Sequence, residues 1–170
     1  MTVKLTFLGG AGTVTGSKYL LETDKRRILI DCGLFQGFKK LRLRNWAPFP
    51  LPPANIDQIL LTHAHLDHSG YIPLLVRNGF RGPIHCTDAT LALCGLLLPD
   101  SGHLQERDAE FANRHGFSKH KPALPLYLQA DAENSLGAIP ACVISQGATN
   151  RRRSDGTIPL CRSHPWRGND

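Results

Sequence analysis

The stretch Ile59-Leu60-Leu61-Thr62-His63-Ala64-His65-Leu66-Asp67-His68-Ser69-Gly70 decides the reading of this chain. Its apolar opening has the character of a buried strand, and Ser69-Gly70 ends the tight loop that follows. Three histidines and one carboxylate fall within the six residues from His63 to His68. Imidazole and carboxylate are ligands that a divalent ion such as zinc prefers. Such an ion makes a nucleophile by lowering the pKa of bound water from about 16 to about 7. His63 and His65, two apart on an extended segment, point the same way into one position. Asp67 and His68 face a second position beside it, as a two-metal hydrolase requires. The chain has eight histidines, and an isolated one is ordinarily a surface or core residue. His103, among Gln105, Glu106 and Asp108, is read that way. Four ligand-type residues in the pattern His-x-His-x-Asp-His at a strand end are not scatter.

Upstream of this loop the chain reads as three strands. Val3 to Leu8 is the first, and the glycine-rich Gly9 to Lys18 follows it. A phosphate-binding loop needs Gly-Lys-Ser/Thr before a helix, whereas this chain has Gly16-Ser17-Lys18 before the strand-like Tyr19-Leu20-Leu21-Glu22-Thr23. The segment is therefore a tight turn between two strands, with its backbone close enough to line a site. The third strand, Arg27 to Gly33, carries Asp31 at its apolar end. A carboxylate there is costly to desolvate unless paired, and orienting the histidine loop is its natural task. Next comes Phe38-Lys39-Lys40-Leu41-Arg42-Leu43-Arg44-Asn45-Trp46. Lys39, Lys40, Arg42 and Arg44 beside two aromatics suit phosphate contacts and base stacking, although a solvated basic face has the same composition.

Downstream, Tyr71 to Phe80 reads as a short helix and Ile84-His85-Cys86 as a strand. Asp88 then caps a helix from Ala89 to Leu98 that Pro99 breaks, and Ser101 to His115 continues as a charged amphipathic helix. Pro122 to Leu128 is extended, and Asp131 to Leu136 starts a last helix. Strands followed by strand–helix alternation, without internal repeats, predict an α/β layered fold. From Ile139 onward periodicity vanishes and arginine, glycine, serine and proline dominate.

The formal net charge is +6, but residues 139–170 hold five arginines and two aspartates, leaving 15 basic against 12 acidic residues before them. Half the excess sits in the tail, so global charge is weak evidence for nucleic-acid binding. No apolar run approaches the roughly 20 residues that span a bilayer, and the start is too short and strand-like for a signal peptide. No membrane partner is expected. Five cysteines without a framework spacing fit reduced thiols, so the expected location is the cytoplasm.

Several motifs together resemble one family. They are Phe7-Leu8-Gly9 through Thr15-Gly16-Ser17, Ile30-Asp31-Cys32-Gly33-Leu34-Phe35-Gln36-Gly37, Leu41-Arg42-x-Arg44-Asn45-Trp46, the histidine motif, and Asp131-Ala132-Glu133. Over about residues 3–138 the chain resembles the amino-terminal part of the β-CASP, RNA-processing group of metallo-β-lactamase-fold ribonucleases. The histidine motif alone indicates only the fold, and the other motifs narrow it to that group. The resemblance implies an αββα sandwich, of which this chain holds the amino-terminal half, and two zinc ions acting on RNA. It implies that His63 and His65 hold one Zn2+ and Asp67 and His68 the other, that Asp67 acts in catalysis with the metal-bound water, and that Asp31 supports the loop. RNA contacts would fall to Lys39, Lys40, Arg42 and Arg44. Assembly state is not readable from the sequence.

The family's third histidine, its bridging aspartate and its last histidine have no counterparts here; His164 lies near the third but has the wrong neighbours. With arginine back-translated as CGN and serine as TCN, Cys161 to Asp170 read one base later permits Ala-Gly-His-Ile-Leu-Gly-Ala. The same shift lets Ile139 to Ile144 read as Phe-Arg-Pro-Val-Ser-Phe. One extra base near codon 138 accounts for both runs. Residues 1–138 are therefore read as part of a metallo-β-lactamase domain, and 139–170 as an unrelated, unpacked tail. The chain as written is expected to be truncated and to have negligible nuclease activity. Two alternatives stand beside this: a thioesterase or lactonase of the same fold, and a non-catalytic metal-binding remnant.

Overall fold

A computed structural model describes residues 2–116 and 118–137 and the main chain of 138 and 141–143. The described residues form a six-stranded sheet whose strands lie in chain order: β1 (Val3–Gly9), β2 (Lys18–Thr23), β3 (Arg27–Ile30), β4 (Gln58–Leu60), β5 (Ile84–Cys86) and β6 (Ala141–Val143). The first three pair antiparallel, and from β3 onward every pair is parallel. The switch follows from the connections. Short turns join β1 to β2 and β2 to β3, whereas the later strands are linked through helices that carry the chain back.

The register sorts side chains into two faces. Thr6, Leu20, Leu29, Ile59 and Ile84 stand in one row, and Phe7, Tyr19, Ile30, Leu60 and His85 in the next, pointing the opposite way. The Leu29 face is covered by α3 (Ile72–Arg77), α4 (Asp88–His115) and α5 (Gln129–Ala138). Leu29, Ile59 and Cys86 from the sheet join Leu74, Leu75, Cys94, Leu98 and Ala132 from the helices in one core. A fully buried leucine or isoleucine such as Leu29, Ile59, Ile72 or Leu75 contributes about 2 kcal/mol. The architecture is α/β, one sheet with helices on one face. That is the amino-terminal half of the sandwich the motifs imply.

Two local expectations are corrected. Pro99 does not break a helix: α4 runs unbroken from Asp88 to His115 with Pro99 inside it. An interior proline costs about 3 kcal/mol because it removes one hydrogen bond and crowds the preceding turn. Packing on both sides outweighs that here. Cys94 and Leu98 are buried before the proline. After it, Ser101 Oγ accepts from Tyr127 Oη at 2.9 Å, and Gly102 lies so close to the chain at Gln129 that a Cβ would sit 2.7 Å from its nitrogen. The cap is also one residue earlier than expected. Thr87 Oγ1 accepts from the Thr90 N–H at 3.3 Å, and Asp88 sits in the first turn. In the tail, the expectation that nothing packs fails for Ala141–Val143, which pairs with β5 and satisfies its edge. Residues 139–140 and 144–170, where the rest of that expectation falls, lie outside the described residues.

Candidate metal centre

The site grows from the end of β4. Leu61 is buried and its N–H donates to the His85 carbonyl at 2.9 Å, so the chain is held in extended form to the last residue before the loop. The loop carries His63 and His65 and then turns into the short α2 (Leu66–Ser69), which holds Asp67 and His68. Buried Ser69 pins the turn from inside, donating to the Ala64 and His65 carbonyls at 2.8 and 3.1 Å.

Two other loops hold this one from below. The Ser17 N–H donates to the Asp67 carbonyl at 2.8 Å, the Cys32 N–H to His68 at 2.7 Å, and the Leu34 N–H to Leu66 at 2.9 Å. Gly33 lies against this turn so closely that a Cβ would fall 1.6 Å from the Asp67 carbonyl oxygen. No side chain fits there, which explains the glycine after Asp31-Cys32.

Asp31 is the hub. Only 2 % exposed, its carboxylate accepts from Thr62 N–H and Oγ1, both at 2.9 Å, from Ser17 Oγ at 3.2 Å, and pairs with His68 Nδ1 at 2.7 Å. Its φ is +56°, in the left-handed region, which costs a non-glycine residue of order 1–2 kcal/mol. Four polar contacts on one carboxylate offset that cost. The contact with His68 fixes the imidazole so that Nε2 points away from Asp31, the arrangement usual for a metal-ligating histidine.

The four motif side chains approach one another in pairs. His63 Nε2 lies 3.2 Å from His65 Nδ1, and His68 Nε2 lies 3.6 Å from Asp67 Oδ2. The His63 and His68 rings bridge the pairs with centroids 4.0 Å apart. Burial, reinforced by His68 and His65, lowers the His63 pKa below its ordinary 6.5. The shift favours the neutral imidazole, the form that ligates a metal. Among the described residues no three of His, Cys, Asp and Glu close a metal cage by themselves. Imidazole and carboxylate are donors that a divalent ion of zinc's preferences takes.

Lys39, Lys40 and Arg42 lie on or at the end of α1 (Lys39–Arg42), and Arg44 in the 3-10 turn that follows. The first three are exposed and make no side-chain hydrogen bond or ion pair among the described residues. Arg44 stacks on the Phe35 ring with its guanidinium carbon 4.1 Å from the centroid. Sequence reasoning singled out Asp31 but not its partners Ser17 and Thr62. Their signal was available, since each lies in a motif that flanks the site. It also passed over Lys18, whose buried ammonium donates to the Gly33 carbonyl and lies 4.7 and 4.6 Å from the Phe35 and Tyr71 rings. Burial lowers its pKa to about 8.

Together the half-sandwich and the strand-end histidine loop define an α/β protein that gathers three histidines and an aspartate at the carboxyl ends of its parallel strands. The chain belongs to the metallo-beta-lactamase superfamily, whose family model matches residues 11–132. It is 52 % identical over 93 residues to Ribonuclease TTHA0252 of Thermus thermophilus, covering 55 % of this chain and 21 % of that protein. It is 43 % identical over 99 residues to transcription termination factor FttA of Methanosarcina mazei, covering 58 % of this chain and 16 % of the relative. The chain thus spans about a fifth or less of the length of these relatives. Among solved structures, the metallo-beta-lactamase fold protein YhfI of Bacillus subtilis is 26 % identical with a TM-score of 0.38, covering 52 % of this chain and 38 % of that one. The resemblance to RNA-processing members of the superfamily, drawn from the motifs, is borne out by these relatives. Among the described residues no helix is long and apolar enough to cross a membrane.

Proposed function

We propose that this chain carries one half of the site of a zinc-dependent RNA phosphodiesterase. The observation that carries the reading is the bond of Asp31 to His68 Nδ1 at 2.7 Å, which orients an imidazole within a cluster of three histidines and a carboxylate. His63 and His65 would hold one ion, and Asp67 and His68 the other. A bound zinc ion lowers the pKa of water and draws charge from a phosphoryl oxygen. The chain's own residues do the remaining work. Asp31 holds His68 in one tautomer, Thr62 and Ser17 hold Asp31, and the Asp67 carboxylate would accept the proton of the attacking water. Sequence similarity to a ribonuclease and a termination factor supports RNA over a thioester or lactone. The described free thiols Cys32, Cys86 and Cys94 are all buried and suit a reducing, cytoplasmic setting.

With two donors per position among the described residues, weak zinc binding and slow turnover are expected. The test therefore uses protein in excess over a labelled single-stranded RNA, with zinc or with a chelator. Zinc-dependent scission that Asp67→Asn abolishes, with thioester and lactone substrates untouched, is the expected result. Hydrolysis of the thioester or lactone with RNA intact would overturn the reading.

A further inference from the structure

The segment from Cys32 to Ile56 contains four basic residues and no carboxylate. Its lysines 39 and 40 and Arg42 have no ion-pair partner among the described residues, so their charge is open to an outside anion. Beside them, two large aromatics face solvent: Phe38 is 83 % exposed and Trp46 55 %. They stand at the two ends of the α1 and 3-10 unit, Phe38 at its amino cap and Trp46 at its last residue. An exposed aromatic is unremarkable singly. Two at the ends of one short rigid unit, with three unpaired cations between them, form a surface with a definite chemistry.

The unit is not a floppy arm. Asn45 is buried, and its side-chain amide accepts from the Phe35 N–H at 2.9 Å and donates to the Phe35 carbonyl at 2.8 Å. Arg44 covers the Phe35 ring, and Lys18 lies against the same ring. Phe35 directly follows Leu34, whose N–H is bonded to Leu66 at the start of the metal loop. The aromatic and basic face is therefore braced to the candidate metal centre through main-chain bonds.

We infer that Phe38 and Trp46 are base-stacking residues for single-stranded RNA, that Lys39, Lys40 and Arg42 take its phosphates, and that Arg44 braces this platform without contacting RNA. The inference rests on the RNA reading above and deepens it. Unstacked bases offer flat apolar faces to aromatic side chains, which a duplex keeps inside its stack. A partner recognised by charge alone would leave the aromatics without a role, and an apolar protein partner would leave three cations unpaired.

The test is a binding titration without metal, so it does not depend on cleavage. Trp46 and Trp166 are the two tryptophans of the chain, and Trp166→Phe leaves Trp46 as the reporter. A twelve-residue oligouridylate is expected to quench its fluorescence. Phe38→Ala in that background, and Trp46→Ala followed by anisotropy of labelled RNA, each weaken binding about tenfold. Lys39→Gln and Lys40→Gln each make the salt dependence shallower by about 0.7 in log–log slope. Arg44→Gln lowers the melting temperature but keeps the slope. Duplex RNA of equal length binds at least about tenfold more weakly than the single strand. Unchanged Trp46 fluorescence at saturation, equal binding of duplex, or aromatic variants within twofold of the parent would each overturn the proposal. Because both aromatics are exposed, their replacement leaves the core intact, which circular dichroism verifies. Tight oligouridylate binding with no scission would sink the cleavage reading and leave this one standing.

Discussion

The two faces of the sheet follow the same alternation and meet opposite fates. On one, Leu29, Ile59 and Cys86 are buried beneath α3, α4 and α5. On the other, Val3, Leu5 and Phe7 of β1 are 61, 48 and 60 % exposed, and Tyr19, Leu21, Ile28, Ile30 and Leu60 are only partly covered. β1 makes the contrast sharpest, since its apolar residues point to the open side and Lys4 and Thr6 to the helix side. A sheet apolar on both faces is built to be covered on both. The described residues cover one. Burial on the open side is thus a property of whatever lies against it, while burial on the helix side is intrinsic to this stretch of chain.

The contrast breaks most directly by truncation. Leu29→Ala, on the covered face, should lower the unfolding free energy in urea by about 3 kcal/mol. Leu5→Ala, on the open face, should change it by less than about 0.5 kcal/mol. Equal losses would mean that the open face is covered in solution. At the strand ends where the faces meet, Asp31→Asn keeps a residue that tolerates positive φ but removes the charge facing His68 and Thr62. A loss of about 2 kcal/mol is expected, and an unchanged urea midpoint would strip Asp31 of its role as hub.

Lys18 supplies a smaller effect with a definite sign. Its pKa falls from 10.5 to about 8 because burial disfavours the ammonium. Between those values the unfolded chain binds a proton that the folded chain has lost, so stability rises with pH across the window. Cys32 and Cys94, pushed up to about 12 by burial, act the other way from about pH 9. The rise therefore shows between pH 8 and 9, at about 1 kcal/mol, and Lys18→Met should flatten it. The smallest change in stability is expected from Phe7→Lys, within about 0.5 kcal/mol. The same substitution should markedly lower binding of a hydrophobic dye, because it interrupts the open apolar face. Unaltered dye binding would mean that the dye reports some other surface.

The fold was legible wherever short-range pattern decided it. The strands β1 to β5 follow from alternation and short apolar runs between glycines, and the metal loop from four ligand-type residues at a strand end. Asp31 was legible for a physical reason too, since a carboxylate ending an apolar strand must be satisfied. Its partners were harder, because Ser17 and Thr62 lie 14 and 31 residues away and only the folded sheet brings them together. Pro99 shows the reverse failure. The local rule is sound, but Tyr127 and Gln129, distant in the chain, hold the helix after the proline, and burial of Cys94 and Leu98 holds it before. Arg44 was read by its charge, and only the structure reveals the Phe35 ring beneath it.

The order of the strands in space repeats their order along the chain, so every strand completes its pairing with one that was made before it. During synthesis the sheet extends at one edge as the polypeptide emerges, with no need to open and admit a later strand. The histidine loop binds to residues 17 and 31–34, all of which precede it. It can be locked before α4 has been translated. The nascent chain thus gains its histidine loop early, while both apolar faces of the sheet are still bare.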